Sequence, residues 1–420
     1  MEMFRDPLST RIVITGLGTI NPIGATVHEF WQSLMAGKSG VRLVRNPDIA
    51  KFSVKIGGEV DLPDLTGYFK KQSMTRRLDR FIVMAHIAAT QAFKDSGINP
   101  ENAPDRYGVL IGTGDAGVET TYQTFNTIFK RGMDATSPFY VVGCIPSTAS
   151  AYFANEFNLQ GPNFSINSAC ATSNHSIGMA SLLIRMGFAD VMFAGGAEAV
   201  VNVPGFAGFG VIRALSERND SPETASRPFD KDRDGFVLAE GAGVICLEEL
   251  GHAKKRGAHI YGELTGVGFT CDAYDLVSPH PQGRGASAVM EQCLRNARIN
   301  KDQVGLINAH GTSTPQGDLA ESASITRVFG DLAKKIPVHS TKSMTGHLVG
   351  AAGGVEAIAV VLALEKNFIH ATINQFTPDP DILINVVRNK PLEAKVDHIL
   401  SNSFGFGGQN AALLISRFKG

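Results

Sequence analysis

Cys170 stands in the run SINSACATSNHSIG, residues 165–178, hemmed by serine, alanine and threonine. A cysteine that serves packing alone usually has larger apolar neighbours; small ones leave room for something bulky to reach the sulfur. Beyond it, Ile177, Met179, Leu182, Leu183 and Ile184 spread apolar groups over most sides of a helix that stops at Gly187. Such a helix is predicted to be buried, with Cys170 at its N-terminus, where unpaired N–H groups and about half a unit of positive charge gather. That end is expected to push a thiol from a pKa of about 8.5 toward the thiolate. It is also expected to steady the oxyanion formed when sulfur attacks a thioester. From this stretch alone a packed core thiol stays open as the alternative, and Cys144, Cys246, Cys271 and Cys293 are read that way.

Two histidines could serve such a thiol. His310 lies in NAHGTSTPQGD, and His347 lies with Lys342 in STKSMTGHLVGAAGG. Both end strand-like runs and enter small-residue turns, where a rigid scaffold tends to present catalytic groups. Lys342 beside an apolar turn needs a partner, and Glu321 in DLAESASITRVFG is assigned to it. The other nine histidines are read as structural. Near the C-terminus SNSFGFGGQN, residues 401–410, alternates phenylalanine with glycine. Its glycines permit backbone turns that aim an N–H inward, and its phenylalanines offer a movable apolar gate. DKDRDGFVLAEG, residues 230–241, begins like a calcium loop but carries Gly241 where a bidentate acid is required, so it is read as a structural turn.

The elements that must position these residues form a repeat. RIVITGLGTI (11–20) is matched by YGELTGVGFT (261–270), YGVLIGTG (107–114) by VGLINAHGT (304–312), and FSINSACATS (164–173) by IPVHSTKSMTG (336–346). Short β-rich runs alternate with longer helical ones, which predicts an α/β layered fold. Two halves are expected, 1–257 and 258–420, each supplying a sheet, packed around a shared layer of buried helices. The 420 residues carry a net charge of −1, with 43% hydrophobic and 19% charged residues, which provides no global field for nucleic acid. No secretory leader or membrane span is read, and five cysteines without C-x-x-C pairs argue against a disulfide framework or a zinc site. A reducing cytoplasm is the expected setting.

Together ACATSNHSIG, RPFDKDRDGFVLAEGAG, NAHGTSTPQGD, STKSMTGHLVGAAGG and NSFGFGGQN resemble the signatures of the β-ketoacyl-[acyl-carrier-protein] synthases, the elongating type II enzymes above all, from about residue 11 to 417. The resemblance implies a thiolase-like duplicated five-layer αβαβα sandwich working as a homodimer. It implies Cys170 as nucleophile, His310 and His347 as the pair that stabilises an enolate, and Lys342 as their charged support, held by Glu321 with Asp318 beside it. Phe406 would gate the acyl pocket and share an oxyanion hole with the N–H of Cys170. Phe404, Phe209, Thr312 and Thr314 would line the malonyl or pantetheine path. Asn308, Glu356, Ser401 and Asn402 match positions that hold a monovalent cation in some relatives.

No cofactor is implied on the enzyme, since substrates arrive on the phosphopantetheine arm of acyl carrier protein. That acidic partner is expected on a basic rim drawn from Arg213, Lys70, Lys71, Arg76, Arg77, Lys130 and Arg131. The implied reaction is decarboxylating condensation of malonyl-carrier with an acyl chain on Cys170, in fatty acid elongation or, alternatively, in a polyketide or specialised lipid pathway. Loss of the histidine pair should leave acylation of Cys170 largely intact. A degradative thiolase would call for a second cysteine after Cys293, which the chain lacks, and a non-catalytic chain-length partner would lack Cys170. Initiating synthases use a histidine and an asparagine, whereas His347 sits within T-G-H. Val277, Gln409 and the Asp134–Ala135 pair depart from the usual pattern, which touches carrier docking and substrate preference more than chemistry. Phe139 and Tyr140 are candidates for setting chain length across a dimer.

Overall fold

A computed structural model describes residues 5–6, 9–101 and 103–420. The runs rich in Val, Ile and Leu become strands: β1 (Ile12–Ile20), β2 (Tyr107–Gly112), β3 (Asn163–Phe164), β4 (Val191–Glu198), β5 (Gly241–Glu249), β6 (Gly262–Cys271), β7 (Leu306–Asn308), β8 (Pro337–His339), β9 (Asn385–Val386), β10 (His398–Gly405) and β11 (Gln409–Ser416). The helices that frame them are α1 (Arg80–Ser96), α2 (Val118–Arg131), α3 (Thr172–Arg185), α4 (Val203–Val211), α5 (Arg284–Ala297), α6 (Pro315–Phe329) and α7 (Ala352–Lys366).

Hydrogen bonds order the strands β9-β8-β7-β10-β11-β6-β1-β5-β4-β2-β3. Outward from the β6–β1 junction the two sides repeat one another. The first half runs β1-β5-β4-β2-β3 and the second β6-β11-β10-β7-β8, with β9 added at the far edge. Orientation repeats too: two antiparallel pairings and then two parallel ones on each side. The strands singled out as look-alikes occupy equivalent places, β1 with β6, β2 with β7 and β3 with β8.

The two sheets are not separate, as the repeat suggested. They join edge to edge, with Val13 opposite Glu263 and Ile14 opposite Gly262. Each of these strands would otherwise expose unpaired N–H and C=O groups along one edge.

Helices complete the layers. α1 packs on β1, β5 and β4, and α5 packs on β6 and β11. Between the sheets lie α3, against β2, β4 and β11, and α7, against β5 and β10. Every residue of α7 from Ala352 to Leu364 is buried, as its apolar sequence demands. α3 differs from expectation. Met179, Leu182 and Leu183 are only half-buried, while its fully covered positions include Ser173, Asn174, Gly178 and Ser181. Small groups let this helix fit between two sheets and another helix.

Glycine serves the same end where α7 crosses β5: a Cβ on Gly243 would lie 2.3 Å from the carbonyl carbon of Gly354. Helix backbone therefore rests directly on strand backbone. Among the described residues no helix is long and apolar enough to cross a membrane.

Candidate active site

Cys170 does not head α3 directly. β3 is only two residues long, and a 3₁₀ turn over Ala169–Ala171 follows before the helix begins at Thr172. Ala169 takes φ of +49°, an uncommon conformation for a residue with a Cβ, and so turns the following thiol inward. The loop after β10 comes close above it. A Cβ on Gly405 would lie 2.6 Å from the carbonyl oxygen of Ser168 and 3.2 Å from the Cys170 nitrogen. The N–H groups of Phe406 and Cys170 both act on the sulfur, favouring its anionic form.

Burial outweighs them. It pushes the thiol up to about 12, against the opposing pull of the Lys342 charge and of those two N–H groups. The expected push toward the thiolate is therefore corrected: removal from water outweighs the helix end and makes the thiol harder to ionise.

Both histidines reach the same point. His347 Nε2 lies 3.1 Å from Cys170 Sγ. Nitrogens of His310 and His347 and the sulfur all fall within 4.8 Å of one another. The two rings stand almost perpendicular, 86°, with centroids 5.4 Å apart. Burial holds both imidazoles well below the usual histidine range, and the positive charge of Lys342 pushes the same way. They are neutral across the physiological range. Neither Nδ1 has a hydrogen-bond partner among the described residues.

The backbones beneath them are fixed. Glu321 accepts the N–H of His310 at 2.9 Å and that of Gly311 at 2.7 Å. His347 donates its N–H to Val237 O at 2.7 Å, and its carbonyl accepts Ala239 N–H at 3.0 Å.

Lys342 has a different partner from the one assigned. Its ammonium, almost wholly buried, pairs with Glu356 on α7. Glu321 is already engaged by two backbone donors and by Asn402 Nδ2 at 3.4 Å. Burial raises its carboxyl to about 7, while those backbone donors act the other way. Asp318 is likewise a backbone anchor, accepting Phe229 N–H at 2.8 Å and Ser313 N–H at 3.2 Å, with Arg233 Nε 3.6 Å away. The calcium-like segment is a buried turn. Asp230 there accepts the N–H groups of Phe376 and Thr377, both at 2.7 Å.

Of the residues matched to a cation position, Asn308, Ser401 and Glu356 form one cluster, with Asn308 Nδ2 donating to Ser401 Oγ at 3.0 Å and to Glu356 Oε2 at 3.4 Å. Asn308 Oδ1 is buried without a partner, and an orphaned carbonyl beside a carboxylate suits a monovalent cation. The Asn402 side chain stands apart, toward Glu321 and Met290.

A cavity of about 430 Å³ opens on the sulfur and is lined by Cys170, His310, His347, Phe209, Phe404, Phe406, Thr312, Thr314 and Val277, among others. Phe209 stands 6.2 Å from Phe406 and 5.6 Å from Phe236, whose ring meets His347 edge-on at 5.3 Å. The Thr312 and Thr314 hydroxyls are 3.0 Å apart. Of the seven basic candidates, Arg213 lines this cavity and the other six do not. Lys70 donates to the Glu156 carbonyl, Arg77 lies over the Phe139 ring, and Lys130 and Arg131 end α2. Gln409 Nε2 donates to the Phe406 carbonyl at 3.4 Å, so this departure touches the glycine-rich loop itself.

Two features escaped the sequence reading. Glu198, fully buried at the end of β4, gathers four donors: Thr113 Oγ1, Gly114 N–H, Asp115 N–H and Gly350 N–H. A carboxylate in the otherwise small and apolar run MFAGGAEAV was the available signal. His339 and His370 form a second buried pair, stacked at 3.8 Å and 18°. His339 Nδ1 meets the His370 carbonyl, and His370 Nε2 meets Thr341 Oγ1.

Comparison with known proteins agrees with this geometry. Residues 9–253 match the beta-ketoacyl synthase N-terminal domain, and residues 261–376 match the beta-ketoacyl synthase C-terminal domain. The chain belongs to the beta-ketoacyl synthase family. It is 46% identical over 409 residues to the 3-oxoacyl-[acyl-carrier-protein] synthase 2 of Coxiella burnetii, covering 97% of this chain and 98% of that one. The enzyme of the same name from Vibrio cholerae is 44% identical over 411 residues, covering 97% and 99%.

Among solved structures, the type II PKS ketosynthase AntDE, described in complex with its acyl-carrier protein AntF, superposes with a TM-score of 0.90 at 33% identity, covering 97% and 100%. A beta-ketoacyl synthase from Burkholderia phymatum superposes at 0.89 and 31% identity, covering 98% and 100%. The fold of this family member is accordingly the thiolase-like five-layer sandwich.

Proposed function

We propose that this chain elongates fatty acids as a 3-oxoacyl-[acyl-carrier-protein] synthase. It would condense malonyl-carrier with an acyl chain held on Cys170, release carbon dioxide and lengthen the chain by two carbons. The observation that carries this reading is the convergence of a thiol and two neutral imidazoles, drawn from opposite halves, on one cavity.

In the first stage the Cys170 sulfur attacks the thioester carbonyl of the acyl-carrier. The N–H groups of Cys170 and Phe406 receive the oxyanion. His347 Nε2, at 3.1 Å, relays the thiol proton to the departing carrier thiolate. Expulsion of that thiolate leaves an acyl-enzyme.

In the second stage malonyl-carrier takes its place, and the C–C bond to its carboxylate breaks. The resulting enolate oxygen is held by ring N–H groups of His310 and His347. Because neither Nδ1 is tied to a partner, each ring is free to adopt the tautomer that presents N–H to the cavity. The enolate carbon attacks the acyl carbonyl, the C–S bond to Cys170 breaks, and the 3-oxoacyl-carrier departs while the sulfur takes up a proton from water. Burial, with the Lys342 charge pushing the same way, keeps both rings uncharged, so they donate N–H without trapping the malonyl carboxylate. Phe406 gates the pocket, while Phe209, Phe404, Thr312 and Thr314 guide the pantetheine arm.

Acyl carrier protein docks at the mouth beside Arg213, and the carrier complex described for AntDE supports such a partner. The chain works as a cytoplasmic homodimer, with its halves at 1–257 and 258–420, and needs no enzyme-bound cofactor. A monovalent cation, if held by Asn308, Ser401 and Glu356, would add fixed positive charge behind the site. The polyketide alternative is less favoured, because the 3-oxoacyl synthases named above are 44–46% identical and the polyketide ketosynthase is 33%.

The test is to incubate the enzyme with saturated linear acyl-carriers and locate the added mass. The expected adduct is an acyl group on the Cys170 peptide, discharged as 3-oxoacyl-carrier on adding malonyl-carrier. An adduct elsewhere, or one formed only from polyketide intermediates, would overturn the assignment.

A further inference from the structure

Glu198 is a fully buried carboxylate that the condensation steps do not use. Its carboxylate ties two distant turns together. Oε2 accepts Gly114 N–H at 2.7 Å and Gly350 N–H at 2.9 Å, and Oε1 accepts Thr113 Oγ1 and Asp115 N–H, both at 3.1 Å. Three of these donors belong to the turn after β2, and the fourth to the turn between His347 and α7. The Gly350 peptide is seized on its other side as well, its carbonyl accepting Ser173 Oγ from α3 at 2.5 Å. No side chain fits there. A Cβ on Gly350 would lie 2.4 Å from Gly114 N and 2.7 Å from Glu198 Oε2, and one on Gly196 would lie 2.5 Å from the Gly350 carbonyl.

The residue just before this clamp is the informative one. Val349 has φ of +46°, a conformation that a β-branched residue adopts only under constraint. It lines the cavity and packs in the same apolar cluster as Cys170. Strain of this kind persists where the surroundings over-determine it, and it concentrates where geometry matters to chemistry.

We propose that Glu198 is a positioning residue for the nucleophile: by clamping the Gly350 peptide it keeps Val349 in its left-handed conformation as the wall against the Cys170 sulfur. The proposal rests on Cys170 being the acyl acceptor, but the clamp can be tested without that reaction. In Glu198→Gln one carboxylate oxygen becomes an amide NH2 that cannot accept, so at least one backbone N–H of the clamp loses its partner.

Two rates are measured on the full-length protein. One is alkylation of Cys170 by iodoacetamide, followed on its own peptide with exposed Cys271 as the internal reference. The other is acyl transfer from a saturated acyl-carrier. With the wall released, alkylation of Cys170 relative to Cys271 should rise at least threefold, and acyl transfer should fall at least tenfold.

The deciding measurement is Glu198→Gln combined with Val349→Gly. Glycine adopts positive φ without a clamp, so acyl transfer in the double variant should return to within threefold of Val349→Gly alone. A merely electrostatic effect of the lost carboxylate would leave the defect unrelieved by glycine, and that result overturns the proposal. So does wild-type behaviour of Glu198→Gln in both rates. Should that variant fail to fold, Glu198→Asp keeps the charge but withdraws it from Gly350, and the same rise in alkylation and glycine rescue are required of it. Absence of acyl transfer in the wild type would instead sink the condensation reading, while the alkylation ratio would still report on the clamp.

Discussion

Two pairs of buried histidines lie in the second half of this molecule, and only one of them is placed for chemistry. His339 and His370 stack face to face at 3.8 Å, with most of their nitrogens committed to carbonyls and to Thr341. His310 and His347 meet edge-on at 5.4 Å, beside a thiol and an open cavity. Burial alone lowers the pKa of all four, so neutrality does not distinguish them. The difference lies in what faces each pair. Lys342 adds a fixed charge to one pair only, and Glu321 anchors the backbone of one pair only. A neutral imidazole is ordinary in a core; one aimed at a cavity and held neutral by a neighbouring ammonium is equipped to donate.

The comparison can be broken most severely at the sulfur. Cys170→Ala is expected to remove condensation altogether, a loss of about 10³-fold or more of the kind seen when a covalent nucleophile is deleted. Elongation assays with acyl- and malonyl-carrier would read it, and retained elongation would dismiss the thiol. Next come the rings. His310→Ala and His347→Ala should each slow malonyl decarboxylation about 10²-fold or more, the typical cost of one lost donor to a developing oxyanion. Released carbon dioxide measures this, and the same change at His370 should not produce it. Only His347 is bonded to the sulfur, so acylation of Cys170 should suffer more from its loss than from that of His310; equal losses would remove that distinction.

A subtler change tests the charge. Lys342→Met with Glu356→Gln removes the ion pair without leaving one buried partner alone. With the ammonium gone both active imidazoles become easier to protonate, so the acid limb of the decarboxylation profile should move to higher pH. An unmoved limb would mean that Lys342 does not set their state.

The smallest effect concerns the sealed pair. Burial lowers His370 to about 4 in the folded protein, from an ordinary value near 6.5. Between those values the unfolded chain binds the proton more readily. Stability present above pH 6.5 is therefore lost as pH falls toward 4, by about 3 kcal/mol for a shift of this size. Urea titrations at pH 7 and pH 5 should show the loss, and His370→Asn should remove the His370 share of it while the other buried histidines keep theirs.

Much of the architecture was legible because repetition is visible in sequence. The T-G-x-G endings marked β1 and β6, and the matched turns marked where thiol and imidazoles would lie. What sequence hid was pairing at a distance. Lys342 finds Glu356 fourteen positions on, a residue read only as matching a cation position, while Glu321 is claimed by backbone N–H groups that no motif displays. The state of Cys170 was misjudged for a related reason: the helix end is local and readable, whereas the removal of water is the work of residues from across the chain. The edge-to-edge joining of the sheets rests on two register positions, too few to leave a pattern. Of the seven basic residues offered for docking, Arg213 is the one that lines the cavity, and charge by itself does not tell which face of a fold a residue occupies.

The bare contact between Gly243 and Gly354 carries a consequence well away from the sulfur. Because α7 continues from the turn that bears His347 and also supplies Glu356, the thickness of one interface is a dimension of the reaction centre. A single methyl group there would act as a shim, lifting the helix and drawing imidazole and ammonium off their marks together. Intolerance to so small a change, at positions that no substrate ever meets, is what this construction imposes.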